Sequence, residues 1–271
     1  MYQRIIVPID GSQLSWRALG PARALSAVFD APVELFEAVE YEADVPVSEK
    51  NLRARLEDLV GEGADDVTVT VEATRDLPAL AIAGHAESIS GGLVVMSSIG
   101  RGRSAAVLGS VTEAVIAELF GPVVVVGPHA ELTPTALAGP IVVPVDGSET
   151  SETALSLAAS WGIVLRARPW IVTVADPDVQ ISADIVETAY PARLARQLTD
   201  QSHHRVEYEV LHDRHPARGV VTFAEDIGAS MIVASTHGRT GLARIRVGSV
   251  AMDMVRHATC PVVLNRPPHI R

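Results

Sequence analysis

Two runs far apart in the chain carry the residue types that hold phosphate and sugar. In one, Ser235-Thr236-His237-Gly238-Arg239-Thr240-Gly241 is followed, across a nine-residue spacer from Gly238, by Gly248 and Ser249. An anionic oxygen reaches backbone N–H groups most closely where no Cβ intervenes, and the positive end of a helix favours it. Gly238, Gly248 and the Ser249 hydroxyl suit that task if a strand ends at the loop and a helix begins after Gly248. In the other run, Asp146-Gly147-Ser148 places a carboxylate where ribose hydroxyls can donate to it, and Val174 offers an apolar shelf for a base. The plain alternative is that Asp-Gly-Ser merely turns the chain and caps the next helix.

The elements that must position these residues alternate. In the first half, strands are expected near 4–9, 32–39, 66–72, 93–97 and 122–127, with helices near 13–29, 48–60, 77–88 and 105–119. In the second, strands are expected near 140–145, 169–175, 205–211, 230–235 and 261–265, and helices near 149–166, 182–200, 216–227 and 244–258. Leu93-Val94-Val95-Met96 and Met231-Ile232-Val233-Ala234 are apolar at every position, as in parallel strands covered by helices on both faces. That pattern predicts a doubly wound α/β fold, whose ligands settle beyond the carboxyl ends of the strands where the strand order reverses.

The alternation occurs twice because the sequence does. Ile5-Ile6-Val7-Pro8-Ile9-Asp10-Gly11-Ser12 returns as Ile141-Val142-Val143-Pro144-Val145-Asp146-Gly147-Ser148. Further on, Gly109-Ser110-Val111 matches Gly248-Ser249-Val250, and Pro122-Val123-Val124 matches Pro261-Val262-Val263. The segment from Ala130 to Gly139 has linker composition, which gives two expected domains, 1–130 and 138–271. The length of 271 residues suits two domains of ordinary size.

This constellation resembles the universal stress protein family, in its ATP-binding branch. The family pattern is Gly, two residues, Gly, nine residues, then Gly with Ser or Thr, downstream of a strand ending Val-Pro-x-Asp-Gly-Ser. The second copy fits except that Ser235 replaces the first glycine. The first copy departs further, with Ser97 at that glycine, Ile99 in place of His237, and eight residues between Gly100 and Gly109. The resemblance implies ATP, with Mg²⁺ on its phosphates, held by Asp146, Val174, Ser235, Gly238, Gly248 and Ser249. The matching first-copy set is Asp10, Ala38, Ser97, Gly100, Gly109 and Ser110. It also implies two tandem five-stranded sheets of order 3-2-1-4-5, the adenine nucleotide alpha hydrolase-like arrangement, with domains paired through their final strands. The function it implies is a nucleotide-dependent stress-response or signalling module rather than an enzyme, working as a homodimer with a regulatory protein partner. A scaffold with decayed sites and a slow ATPase are the alternatives.

Other classes fit less well. A formal charge of −11 repels a phosphate backbone, so nucleic acid is not an expected partner. The apolar runs fall short of the roughly 20 residues of a membrane span, and the N-terminus reads as a strand rather than a signal peptide. With Cys260 as the single cysteine, no internal disulfide or thiolate metal cluster can form, and a cytoplasmic location is expected. The turn after each first strand lacks the Gly-x-Gly-x-x-Gly of a dinucleotide-binding enzyme. A P-loop needs a lysine that only Lys50 could supply, and no Ser-Gly-Gly-x-Asp-Ser loop of an ATP-pyrophosphatase follows a first strand. No Ser-His-Asp set or paired carboxylates stand out as catalysts. Arg101, Arg103, Arg239, Arg244 and Arg246 read as a solvated surface near the loops. His203, His204, His212 and His215 lack ligand spacing. Trp16, Trp161 and Trp170 are expected to pack helices on the sheet, and Cys260 to be a buried, inert thiol.

Overall fold

The computed structural model describes residues 2–61, 64, 66–100, 108–130, 137–178, 184–237 and 247–266. The first half runs β1 (Arg4–Pro8), α1 (Leu19–Phe29), β2 (Val33–Glu40), α2 (Val45–Val60), β3 (Val67–Thr74), α3 (Pro78–Ser88), β4 (Gly92–Ser97), α4 (Ser110–Glu118) and β5 (Pro122–Val126). The second runs β6 (Ile141–Pro144), α5 (Glu149–Leu165), β7 (Pro169–Ala175), α6 (Asp184–Ser202), β8 (Glu207–His212), α7 (Pro216–Asp226), β9 (Met231–Ser235), α8 (Ser249–His257) and β10 (Val262–Asn265).

One expected helix divides. Residues 13–29 form a short 3-10 turn, Ser15–Ala18, before α1. Pro21 has no N–H to offer the carbonyl four residues back, so the regular ladder cannot run through the start of this segment. The matching α5 has no proline and is continuous from Glu149. The expected helices at 105–119 and 244–258 begin at Ser110 and Ser249, and their earlier parts touch on residues 101–107 and 238–246, which lie outside the described residues.

Each half has the strand order 3-2-1-4-5, and the halves are not separate sheets. β5 and β10 pair antiparallel, with Val125 opposite Val262 and Val123 opposite Leu264, which makes one ten-stranded sheet of order β3-β2-β1-β4-β5-β10-β9-β6-β7-β8. All other strand pairs are parallel. Two apolar strands that would otherwise be exposed edges thereby satisfy each other's backbone groups.

Side-chain alternation divides the core into two layers. Ile5, Val7, Val124, Val143 and Val263 face α1, α2, α5 and α6, whereas Ile6, Val94, Val123, Val142 and Val262 face α3, α4, α7 and α8. Burial of both faces explains why the strands read as unbroken apolar runs. On the first face the halves lock through Tyr2, Phe29 and Trp161, whose rings meet edge to face with centroids 5.0 to 5.9 Å apart; the Trp161 indole N–H donates to the Tyr2 hydroxyl. Trp16 is buried as well, and Trp170 packs against Phe223 on the other face. Cys260 is buried, and burial pushes its thiol up to about 12.

Candidate functional site

β1 lies between β2 and β4, so the order reverses there and a crevice opens beyond the carboxyl ends of these strands. A cavity of about 500 Å³ occupies it, within the roughly 300–1,000 Å³ span of small-molecule sites. Asp10 follows β1, Ala38 belongs to β2, Ser97 ends β4 and Gly100 follows it, while Gly109 and Ser110 stand at the start of α4; all six line the cavity.

Several local bonds set this geometry. Gly109 donates its N–H to the Ser98 carbonyl at 2.7 Å, and the Thr112 hydroxyl donates to the Ser97 carbonyl at 3.0 Å, so the head of α4 is pinned to the end of β4. No side chain caps α4, whose N-cap is Gly109. Its first amides therefore present their N–H groups and the positive helix end toward the cavity. A Cβ on Gly109 would sit 3.2 Å from the Ser98 carbonyl oxygen, and one on Gly100 would collide with the Asp10 carboxylate. The missing side chains are what let the two loops close on each other.

The Asp-Gly-Ser turn does cap and turn, as the plain alternative required. Ser148 caps α5 by accepting the Ser151 N–H, and Gly11 and Gly147 hold φ of 78° and 86°, a left-handed conformation that favours glycine. The same bonds orient the aspartates. Ser12 N–H donates to Asp10 Oδ1 at 2.9 Å and Ser148 N–H to Asp146 Oδ1 at 3.0 Å, while the Asp10 and Asp146 amides donate to the Ser15 and Ser151 hydroxyls. The structural role and a carboxylate aimed over the sheet edge are compatible.

The second half repeats the frame. β6 lies beside β9, Gly248 N–H donates to the Thr236 carbonyl at 2.8 Å, and Gly248 is the N-cap of α8, again without a side-chain cap. Asp146, Ser235, Gly248 and Ser249 follow or end β6, β9 and the loop before α8, and Val174 stands near the end of β7. Gly238, like Arg101, Arg103, Arg239, Arg244 and Arg246, lies outside the described residues.

The serines standing in for glycine fit without obstruction. Ser97 and Ser235 are buried, and their hydroxyls accept the N–H groups of Ile99 and His237. The sequence reading missed Glu37, Glu40, Met96 and Thr112 on the cavity wall. Described lining residues include the carboxylates Asp10, Glu37 and Glu40 and no Lys or Arg. Among the described residues, no group of three or more His, Cys, Asp or Glu is placed to hold a metal ion, and no helix is long and apolar enough to cross a membrane. His204 instead contacts the Ala167 carbonyl through Nε2, at 3.0 Å.

Fold and crevice together define a tandem, doubly wound α/β protein with a ligand-sized pocket at a switch point. The chain belongs to the universal stress protein family, whose model matches residues 1–127 and again 138–266. A universal stress protein of Methanocaldococcus jannaschii is 47% identical over 53 residues, a stretch that makes up 20% of this chain and 31% of that protein. A universal stress protein from Archaeoglobus fulgidus has a similar structure, with a TM-score of 0.69 and 18% identity over 97% of this chain and 98% of its own. A functionally unknown protein from Pseudomonas aeruginosa aligns with the same score and identity over 99% of this chain and 94% of its own. At 18% identity these likenesses are of fold alone.

Proposed function

We propose that this protein binds ATP, with Mg²⁺ on its phosphates, in both halves, and that the bound nucleotide makes it a stress-response or signalling module rather than a catalyst. The supporting observation is the cavity between β1, β2 and β4 that gathers Asp10, Ala38, Ser97, Gly100, Gly109 and Ser110. In this reading Asp10 accepts from the ribose hydroxyls, Ala38 lies under the base, and the amides at the head of α4 with Gly100 receive the phosphates. Asp146, Val174, Ser235, Gly238, Gly248 and Ser249 take the same parts in the second half. Asp10, Glu37 and Glu40 line the pocket, so a triphosphate needs a divalent counter-ion there. Chelating Mg²⁺ is expected to weaken binding in the first half.

The buried serines weigh against a scaffold with decayed sites, because they are small and their hydroxyls accept backbone N–H groups of the loop that follows. A cytoplasmic location and a regulatory partner that reads the nucleotide state belong to the same proposal. So does a homodimer, which must use a surface other than β5 and β10, since these already pair with each other. Native mass spectrometry of gently purified protein tests the nucleotide reading. The expected spectrum carries adenine nucleotide mass, reduced by Gly248→Val with Asp146→Ala and again by Gly109→Val with Asp10→Ala. A nucleotide-free spectrum together with a flat ATP titration defeats it.

A further inference from the structure

Gly127 follows β5 at the end of the first half, yet what a side chain there would meet belongs to the second half. A Cβ on Gly127 would collide with the Val255 carbonyl oxygen of α8 and lie 3.8 Å from that of Ala258. Gly127 does not have a positive φ, so the close approach, and not the backbone conformation, demands glycine. The offset that matches Pro122 to Pro261 puts Arg266 at the equivalent place after β10, so a strand end of this kind has no need of glycine in itself. Arg266 instead reaches into the first half, where it donates to the Ala117 carbonyl near the end of α4 and lies over the Phe120 ring, 4.8 Å from the centroid. Each last strand thus ends against the tail of the helix whose head is assigned to phosphate in the other half.

The two helices are held differently at those heads. α4 has two bonds to the end of β4, from the Gly109 N–H and from the Thr112 hydroxyl. α8 keeps the first, from the Gly248 N–H to the Thr236 carbonyl at 2.8 Å, but Ala251 stands where α4 has Thr112. The buried residues of α8, Ala251, Met254 and Val255, are apolar, and apolar packing fixes no direction along the helix. A helix of nine residues is only about 13 Å long, so a push at its tail is carried to its head. The seat is firmer than the helix. Val126 accepts the Ser98 N–H at 2.9 Å, and the Arg17 guanidinium donates to the carbonyls of Gly127 and Ala130 at 3.4 and 2.9 Å. A side chain added at Gly127 therefore displaces α8 rather than the end of β5.

We propose that Gly127 is a positioning residue for the second nucleotide site: it lets the tail of α8 settle against the end of β5 and so sets where the amides at the head of α8 meet phosphate. The second site is then built by both halves across the β5–β10 seam, whereas the first, with its Thr112 bond, leans less on the other half. This rests on the assignment of the head of α8 to the phosphates.

The experiment titrates Mg²⁺-ATP by calorimetry into the full chain. With the first site disabled by Gly109→Val and Asp10→Ala, Gly127→Ala is expected to raise the second-site Kd about 10-fold, the worth of one misplaced hydrogen bond to a charged group. With the second site disabled instead, by Gly248→Val and Asp146→Ala, the same substitution should leave the first-site Kd within about twofold of the parent, which also shows that the variant is folded. Ala251→Thr gives α8 the head bond that α4 has; added to Gly127→Ala, it should recover about threefold of the lost affinity. Should Gly127→Ala fail to fold, Ala251→Thr alone carries the test and should lower the second-site Kd about threefold. An unchanged second-site Kd in Gly127→Ala, equal weakening of both sites with a lower unfolding midpoint, or an Ala251→Thr that changes nothing overturns the seat while leaving the nucleotide reading intact. Absence of any binding by the unaltered chain overturns both.

Discussion

Gly100 and Gly92 flank the same strand, and placing a methyl group on each separates ligand geometry from packing. At Gly100 the added Cβ meets the far end of the Asp10 side chain, which can rotate away. At Gly92, at the other end of β4, it would lie 2.6 Å from the Ala86 carbonyl oxygen and 3.3 Å from Ile6 Cδ1, backbone on one side and closed core on the other. Gly92→Ala is therefore expected to cost about 1–3 kcal/mol of stability, as overpacking does, and to leave nucleotide affinity unchanged. Gly100→Ala should leave the unfolding midpoint nearly in place while displacing the carboxylate proposed to hold the ribose. A hydrogen bond to a charged group contributes about 1.5–3 kcal/mol, which corresponds to roughly a 10- to 150-fold rise in Kd. Both variants would be made with the second half disabled by Gly248→Val and Asp146→Ala. Calorimetric titration with Mg²⁺-ATP and thermal unfolding would then be measured on each. If Gly100→Ala lowers the midpoint as much as Gly92→Ala and binds ATP as the parent does, Gly100 is a packing glycine and the assignment of Asp10 is wrong.

The remaining predictions concern the core. Glu34 is buried in β2 among Arg4 at 3.3 Å, His85 at 3.2 Å and the Thr70 hydroxyl at 2.5 Å, so Glu34→Leu leaves the Thr70 hydroxyl and His85 without their acceptor and is expected to cost about 1–3 kcal/mol in urea unfolding. The second half fills the equivalent space with Trp170 against Phe223; a Glu34→Trp, His85→Phe double variant should therefore lose less than Glu34→Leu. Cys260 should resist maleimide at pH 8 in the folded protein and react once urea unfolds it, because burial disfavours its thiolate. Burial also raises the Tyr2 hydroxyl from 10.0 to about 12, as it raises Cys260 from 9.0 to about 12. Folding favours the neutral form of both, so their contribution is complete below pH 9 and is lost as pH climbs toward 12, and the urea midpoint should fall across that window.

Much of this architecture was legible in the chain itself. Continuous apolar runs bounded by turn residues fixed strands covered on both faces, and the returning Val-Pro-x-Asp-Gly-Ser fixed two copies. The resemblance to the family pattern gathered Asp10, Ala38, Ser97, Gly100, Gly109 and Ser110, which the fold brings round one cavity. Those signals are local or periodic, and backbone sterics and burial write them directly into residue types.

Three features needed the folded molecule. Val123–Val126 and Val262–Leu264 read by pattern as apolar strands open to any partner; the family resemblance pointed to pairing through the final strands, and only the fold decided that the two take each other within one chain and make one sheet. Glu34 and His85 lie fifty-one residues apart, and nothing in either segment predicts that helix packing would bury them together. Arg55 behind Gly11 is likewise a surface-helix residue by pattern, given its partner by how α2 lies against the turn. Sequence determines what each segment can do with its own neighbours; contacts between distant segments depend on the angles at which whole elements pack, which no single stretch of chain encodes.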